Sequence, residues 1–126
     1  MSGSILIIED EDLLGEELLH HFRKAGWEAE RAATLADARR LLFEAELLVD
    51  VVLSDLNLPD GMALDLLDEV RDNGTGGEWI FLTGYGTVPN SVRALRLGAH
   101  DFLEKPCSMD HLDLVLWCRE AGEVFK

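Results

Sequence analysis

Acidic side chains follow two apolar segments of the sequence, directly after each segment ends. Glu9 and Asp10 come after "SILII", and Asp55 comes after "VVLS". If the segments are strands whose ends converge, the three carboxylates lie about 5 Å apart and repel by roughly 3 kcal/mol per pair at an effective dielectric near 20. Positive charge must offset that repulsion. Hard carboxylate oxygens, with no His or Cys among the ligands, select Mg²⁺ over Zn²⁺. The three acids therefore predict a magnesium site.

A hydroxyl and an ammonium group stand at the ends of two later short segments. Thr83 ends "EWIFLT", and Lys105 follows "HDFLE". Lys105 supplies one positive charge to the acids, and a divalent cation would supply the remainder. Because Mg²⁺ keeps several waters in its octahedral shell, it leaves positions open to a phosphate oxygen. The set of side chains therefore indicates chemistry on a phosphoryl group.

Five short segments alternate with five longer ones along the chain. Three of the short segments are almost wholly apolar, which is typical of strands buried on both faces. The longer segments carry apolar residues three and four apart, as amphipathic helices do. This alternation predicts an α/β fold, with a doubly wound five-stranded parallel sheet and five helices. Ligands of such sheets bind outside the carboxyl ends of the strands, which is where the candidate residues fall. The predicted strands cover residues 4–8, 27–32, 49–54, 78–83 and 100–104.

Several residues mark where the helices begin and end. Gly26 is placed to end the first helix and Gly98 the fourth, and Thr34 is a suitable N-cap for the second. The third helix is predicted over residues 63–71 and the fourth over 89–97.

The last helix, predicted over residues 108–124, has apolar residues on two sides. One stripe consists of Leu112, Val115 and Leu116. Two interpretations of the other stripe stand beside each other: it packs in the core, or it contacts a partner. That second stripe consists of Leu114, Trp117, Ala121 and Phe125.

Composition limits the classes of function. The chain has 126 residues and is 48% hydrophobic, which predicts one compact domain over residues 1–126. Its net charge of -14 would repel a phosphate backbone, so we expect no direct contact with nucleic acid. No apolar run approaches the roughly 20 residues of a membrane helix, so we expect no membrane contact and a cytoplasmic location. Cys107 and Cys118 are too few for a disulfide framework and are predicted to be free thiols.

Four segments resemble the signature segments of the two-component response-regulator receiver domain, in order and at the usual spacing. They are "ILIIEDE", "VVLSDLNLPDG", "IFLTGYG" and "GAHDFLEKP". The resemblance covers nearly the whole chain, and the last three segments look most like receivers of regulators that activate alternative-sigma-factor transcription. It implies the flavodoxin-like topology with strand order 2-1-3-4-5. It also implies a cis bond between Lys105 and Pro106.

The resemblance assigns the catalytic roles. Asp55 matches the phosphoacceptor, whose carboxylate attacks the phosphorus of a phosphohistidine on a partner kinase. Thr83 and Lys105 match the hydroxyl and ammonium groups that hold the phosphoryl oxygens. Gly84 is small enough to leave the acceptor open. The implied protein is a signalling switch rather than an enzyme, and it catalyses phosphoryl transfer to Asp55 and hydrolysis from it.

The resemblance also assigns the metal ligands. Asp10 matches the acid that ligates Mg²⁺ together with Asp55. Glu9 matches its neighbour, which is often Asp in the family, and the extra methylene leaves direct and water-mediated ligation equally open. Asn57 falls two residues after the acceptor, where the family uses a backbone carbonyl as ligand.

The predicted switch starts at Thr83. A phosphoryl group would give its hydroxyl a strong acceptor and draw the loop inward. Phe102 matches the switch aromatic of the family, although it also fits a plain core aromatic of the fifth strand, and Tyr85 would flank the moving segment. The face formed by the fourth helix, fifth strand and fifth helix is the expected output surface and the expected interface of a homodimer. The expected partners are a sensor histidine kinase or phosphotransfer protein, and an output domain or effector protein.

Three other functions each require features that differ from this sequence. An aspartyl-nucleophile phosphatase of the haloacid dehalogenase group needs its nucleophile on an early strand and usually a second acid two residues later, where this chain has Asn57. A flavodoxin-like cofactor module needs a hydroxyl-rich phosphate loop where this chain has "EDED". A receiver-like domain that is never phosphorylated would not need the full acidic set with Thr83 and Lys105. The chain could be a stand-alone switch or a receiver cut from a larger regulator. The residues of the four motifs favour the second.

Overall fold

The computed structural model describes residues 3–45, 47–72, 77–84 and 87–120. Five parallel strands form one sheet, and a two-stranded antiparallel hairpin lies beside it. In chain order the elements are β1 (Gly3–Ile8), α1 (Asp12–Lys24), β2 (Trp27–Ala32), α2 (Leu35–Arg39), β3 (Val51–Ser54), β4 (Asn57–Leu58), β5 (Gly61–Met62), α3 (Ala63–Asp72), β6 (Glu78–Thr83), α4 (Val88–Arg96), β7 (Asp101–Glu104) and α5 (Met109–Glu120).

The order of the main sheet is β2-β1-β3-β6-β7, which confirms the predicted order 2-1-3-4-5 once the hairpin strands β4 and β5 are set aside. In the parallel register Ile8 lies beside Ser54, so β1 and β3 end together. The next residues of the two strands, Glu9 and Asp55, therefore leave the sheet at the same edge. Thr83 lies beside Glu104 in the same way, which brings the start of the following loop to that edge as well.

Apolar side chains alternate between the two faces of the sheet, because successive residues of a strand point to opposite sides. On β1, Ile5 and Ile7 belong to one buried cluster with the helices α1 and α5. Leu6 and Ile8 belong to the other cluster, with α2, α3 and α4. The helices thus cover both faces, as expected for strands that are apolar throughout.

Two local features depart from the prediction. The second helix continues beyond α2 as a π-helical turn (Arg40–Glu44), in which the N–H of Ala45 donates to the carbonyl of Arg40. The third strand begins at Val51 rather than at residue 49. Asp50 lies before it, and its carboxylate accepts a hydrogen bond from the N–H of Ser4, 2.9 Å away.

The predicted bounds of the third and fourth helices are confirmed to within a residue. Gly26 and Gly98 follow the first and fourth helices with φ of 99° and 92°, a conformation that favours glycine. The Thr34 hydroxyl accepts a hydrogen bond from the N–H of Asp37, 3.1 Å away, and so caps α2. The Lys105–Pro106 bond is cis, as the family resemblance implied.

The described part of α5 separates its two apolar stripes. Leu112, Val115 and Leu116 are buried, while Leu114 and Trp117 are 56% and 45% exposed. Deep packing of the second stripe is therefore wrong at these two positions, and its other two residues, Ala121 and Phe125, lie outside the described residues.

The predicted thiol is observed at Cys107, which is free and half-buried, whereas the side chain of Cys118 lies outside the description. None of the helices described here combines the length and the apolar character that crossing a bilayer requires.

Candidate functional site

The acidic residues after β1 and β3 are held by backbone hydrogen bonds to neighbouring strands. The N–H of Glu9 donates to the carbonyl of Ala32 at the end of β2, at 3.0 Å. The N–H of Asp55 donates to the carbonyl of Ile8 at the end of β1, at 2.9 Å. Both residues therefore continue the ladder of the sheet by one step, and their side chains start from fixed positions.

Three carboxylates meet at this edge, as the sequence predicted. Oxygen atoms of Glu9, Asp10 and Asp55 all lie within 4.8 Å of one another. Glu9 is buried and the Asp55 side chain is only 11% exposed, while Asp10 is open to solvent. A set of carboxylate oxygens at this spacing fits a hard divalent cation such as Mg²⁺.

Lys105 lies in the centre of the acids. Its Nζ donates to Glu9 Oε1 at 2.8 Å and to Asp55 Oδ2 at 2.9 Å. It also donates to Glu11 Oε2 at 3.2 Å, a contact that the sequence interpretation missed. Glu11 belongs to the "EDED" run, which was the available signal, but nothing in the sequence tells which of its carboxylates turns towards a lysine 94 residues away.

Burial and charge shift the pKa values of the central pair. Burial raises the pKa of Glu9, and hydrogen bonds from Lys105 and from the N–H of Glu11 only partly offset this effect. Burial alone would lower the pKa of Lys105, but its hydrogen bonds and charge interactions with Glu9 and Asp55 together raise that pKa above its usual value. Lys105 thus stays protonated.

Both oxygens of the Asp55 side chain have donors. Oδ2 faces Lys105, and Oδ1 accepts from the N–H of Leu56 at 2.6 Å and, more weakly, from the N–H of Asn57 at 3.4 Å. The carboxylate is therefore oriented as well as charged. It opens into a cleft of about 460 Å³ lined by Asp10, Glu11, Asp55, Asn57, Gly84 and Lys105.

Thr83 is placed beside Lys105 by the backbone, since its carbonyl accepts from the N–H of Lys105 at 2.9 Å. Thr83 is fully buried at the end of β6. A β-carbon at the next residue, Gly84, would meet no atom within 4 Å, so this side of the cleft is open.

The two predicted switch aromatics have different outcomes. Phe102 is half-buried on β7, and its ring lies 6.0 Å from that of Phe81 on the cluster with α2, α3 and α4. The Phe102 ring therefore packs against this apolar cluster and does not line the cleft. Tyr85 lies outside the described residues.

A further acid supports the segment that carries Asn57. Asp60, at the turn of the β4–β5 hairpin, accepts from the N–H groups of Leu35 and Ala36, both at 2.9 Å, at the start of α2. These hydrogen bonds lower the pKa of Asp60. The "PDG" turn was visible in the sequence, but the helix that it caps is 24 to 25 residues away.

A family model described as "Response regulator receiver domain" matches residues 5–116 of the chain. The chain is 37% identical over 109 residues to the C4-dicarboxylate transport transcriptional regulatory protein DctD of Pseudomonas aeruginosa; the match covers 86% of this chain and 23% of that protein. The chain thus spans about a quarter of the length of that relative.

Two solved structures are similar over nearly the whole chain. The non-phosphorylated HemR receiver domain from Leptospira biflexa is 28% identical with a TM-score of 0.84, covering 98% of this chain and 95% of that one. The beryllofluoride-activated NtrC4 receiver domain dimer is 28% identical with a TM-score of 0.79, covering 94% of both chains.

Proposed function

The chain belongs to the response regulator receiver domain family, and from that premise we propose that Asp55 is its phosphoacceptor. Receiver domains of two-component systems act as signalling switches that regulate an output domain. The assignment rests on the position and orientation of the Asp55 carboxylate. It stands at the carboxyl end of β3, is oriented by Lys105 and the N–H of Leu56, and opens into the cleft.

Phosphoryl transfer requires little covalent chemistry from the protein. An oxygen of Asp55 forms a bond to phosphorus while the bond between phosphorus and the histidine nitrogen of the kinase breaks. Lys105 and the hydroxyl of Thr83 stabilise the charge on the phosphoryl oxygens. Hydrolysis later returns the carboxylate and inorganic phosphate, so the chain catalyses its own phosphorylation and dephosphorylation.

Mg²⁺ is the cofactor in this proposal. When bound, it neutralises charge on the phosphoryl oxygens and on the acids. Asp10 and Asp55 would hold it directly, and the backbone carbonyl of Asn57 is a third candidate. Both oxygens of Glu9 already accept hydrogen bonds, from Lys105 and from the N–H of Glu11, which favours a water-mediated role for Glu9.

Partners follow from the same assignment. A sensor histidine kinase or phosphotransfer protein would supply the phosphoryl group, and an output domain or effector would receive the signal through the face formed by α4, β7 and α5. The movement would start at Thr83 and pass to Phe102, with Tyr85 beside the loop. A homodimer through that face is also proposed, and the dimer of the NtrC4 receiver is a precedent among similar structures.

The match to DctD supports the predicted resemblance to activators of alternative-sigma-factor transcription. A cytoplasmic location belongs to the same proposal, since a transcriptional regulator works where the chromosome is. Residues 1–126 are taken as one receiver domain, with the family match over residues 5–116 in support.

The other functions have less support. A second acid two residues after the nucleophile would favour a phosphatase of the haloacid dehalogenase group, but Asn57 stands there. A receiver-like domain without phosphorylation is the remaining competitor, and it has no need for the ion pairs of Lys105 with both Glu9 and Asp55.

The test is phosphorylation by a small donor. The chain is incubated with acetyl phosphate and Mg²⁺, and its intact mass is measured before and after treatment with acid and with base. We expect the mass of one added phosphoryl group, stable to acid and lost in base, as for an acyl phosphate.

Two substitutions at opposite ends of one strand give the control. Asp55→Asn should abolish the adduct, while Asp50→Asn, before β3 and outside the cleft, should keep it. An adduct of equal yield on Asp55→Asn would reject the assignment.

A further inference from the structure

A guanidinium group that does not line the cleft holds the acidic loop. Arg31 lies on the edge strand β2, beside Ile7 of β1, and its side chain is only 13% exposed. Its Nε and one terminal nitrogen donate to the carbonyl of Glu9 at 3.1 and 2.8 Å. The same group contacts the carboxylates of Asp12 at 3.1 Å and Glu16 at 3.5 Å.

The first turns of α1 leave space for this group. Gly15 is buried within α1, although glycine is a weaker helix former than alanine. A β-carbon at Gly15 would lie 2.2 Å from Arg31 Nε and 2.5 Å from its Cζ. The guanidinium could not keep this position against any other residue, so the glycine and the arginine act as a pair.

The contact sets the direction of the peptide between Glu9 and Asp10. The N–H of Glu9 is fixed by the carbonyl of Ala32, and its carbonyl is fixed by two donors from Arg31. The carbonyl of Glu9 and the N–H of Asp10 belong to one peptide plane. The backbone that carries the two carboxylates is therefore held before Glu9 and after it. Loss of the guanidinium frees that plane to rotate.

We propose that Arg31, accommodated by Gly15, is a positioning residue for the Mg²⁺ site, which it serves by fixing the Glu9–Asp10 peptide. This rests on the proposed function, because it assumes that the acids bind Mg²⁺. Arg31 touches neither the cleft nor the acceptor, and its effect passes entirely through the backbone that carries the two acids.

Charge and position predict opposite effects, which makes the role testable. Removing the positive charge of Arg31 makes the acidic loop more negative, so electrostatics alone would tighten Mg²⁺ binding. Loss of positioning would weaken it, and removing an outer-shell partner of a metal ligand typically costs about 10- to 100-fold in affinity. Lys at this position keeps the charge but not the two-donor contact.

The experiment is a calorimetric titration of MgCl₂ into the whole chain without phosphodonor. The variants are Arg31→Gln, Arg31→Lys and Gly15→Ala. The matched control is Arg23→Gln, since Arg23 also joins α1 to β2 with two donors on one carbonyl, that of Ala29, at 3.2 and 2.9 Å. Ala29 lies beside Ile5 in the middle of the strands, so that contact does not touch the backbone of the acidic loop.

We expect Arg31→Gln to raise the Kd for Mg²⁺ at least tenfold, Arg31→Lys to lie between it and the wild type, and Arg23→Gln to leave it unchanged. Gly15→Ala should raise the Kd while urea unfolding without Mg²⁺ shows equal or greater stability, which a merely structural role would not produce. If Arg31→Gln fails to fold, the Kd of Gly15→Ala for Mg²⁺ still tests the proposal.

Wild-type affinity in both Arg31→Gln and Gly15→Ala, or tighter binding in either, would overturn the role of Arg31. If the wild-type chain itself binds no Mg²⁺, the proposed magnesium site fails, and the positioning role fails with it.

Discussion

Asp55→Asn should leave the Mg²⁺-free protein about as stable as the wild type, although it removes one partner of a largely buried ion pair. Removing one partner of such a pair usually costs about 3–5 kcal/mol, because the other charge stays buried and unpaired. The cluster around Asp55 differs from that case because it holds more acids than bases: of the basic side chains in the described part of the chain, Lys105 is the one paired with Glu9, Glu11 and Asp55.

The distances allow the attraction between Asp55 and Lys105 to be compared with the repulsion between Asp55 and the other acids. Lys105 Nζ lies 2.9 Å from Asp55 Oδ2, an attraction of roughly 6 kcal/mol at an effective dielectric of 20. Oxygens of Glu9 and Asp55 lie within 4.8 Å, a repulsion of at least about 3.5 kcal/mol on the same scale. Asp10 adds repulsion that solvent partly screens, and asparagine still offers Lys105 an oxygen. The terms nearly cancel, so we expect a change of less than about 1 kcal/mol in unfolding free energy, or a small gain.

The assay is urea unfolding in EDTA at neutral pH, with Lys105→Gln as the opposite arm. Lys105→Gln leaves Glu9 and Asp55 without their cation and should lose about 3–5 kcal/mol. Mg²⁺ should then stabilise the wild type by about 2.7 kcal/mol at a hundred times its Kd, and Asp55→Asn by less. An equal loss of stability in Asp55→Asn and Lys105→Gln would show that acids are not in excess around Lys105.

Three further outcomes follow from the site. Glu9 has a raised pKa in the folded state, so its contribution to stability is present below its usual pKa and is lost as pH rises through the folded value; Glu9→Gln should compare better with the wild type at pH ~7 than at pH ~4 in Mg²⁺-free urea unfolding. Asp60→Ala removes the acceptor of the N–H groups of Leu35 and Ala36 at the start of α2 and should cost about 1–2 kcal/mol by the same assay. That cost should shrink as pH falls through the lowered pKa of Asp60. Gly84→Ala should leave stability unchanged, since its β-carbon meets no atom within 4 Å; a loss above about 1 kcal/mol would contradict this.

The strands and the site were predictable from local patterns. Apolar runs followed at once by Glu9 or Asp55 are visible in sequence order, and parallel strands place their carboxyl ends at one edge whatever their lengths. The helix ends at Gly26 and Gly98 were predictable for a similar reason, because the positive φ is a property of the residue itself.

The contacts that were missed join residues far apart in the chain. Glu11 and Lys105 are 94 residues apart, and Asp60 caps a helix that begins 25 residues earlier. In the sequence Gly15 is only a weak helix former. The structure shows that a β-carbon there would collide with the guanidinium of Arg31. The π-helical turn at Arg40–Glu44 has no residue in it that signals a break. Such features depend on packing, which periodicity alone does not reveal.

The central claim is that one carboxylate, Asp55, receives the phosphoryl group. The most direct measurement is to phosphorylate the chain with acetyl phosphate and Mg²⁺, reduce the acyl phosphate with borohydride, and locate the resulting homoserine by peptide mass spectrometry. We expect homoserine at position 55 and nowhere else. Homoserine at another acid, such as Asp10, or a phosphoryl group on a residue that resists both borohydride and base, would contradict it.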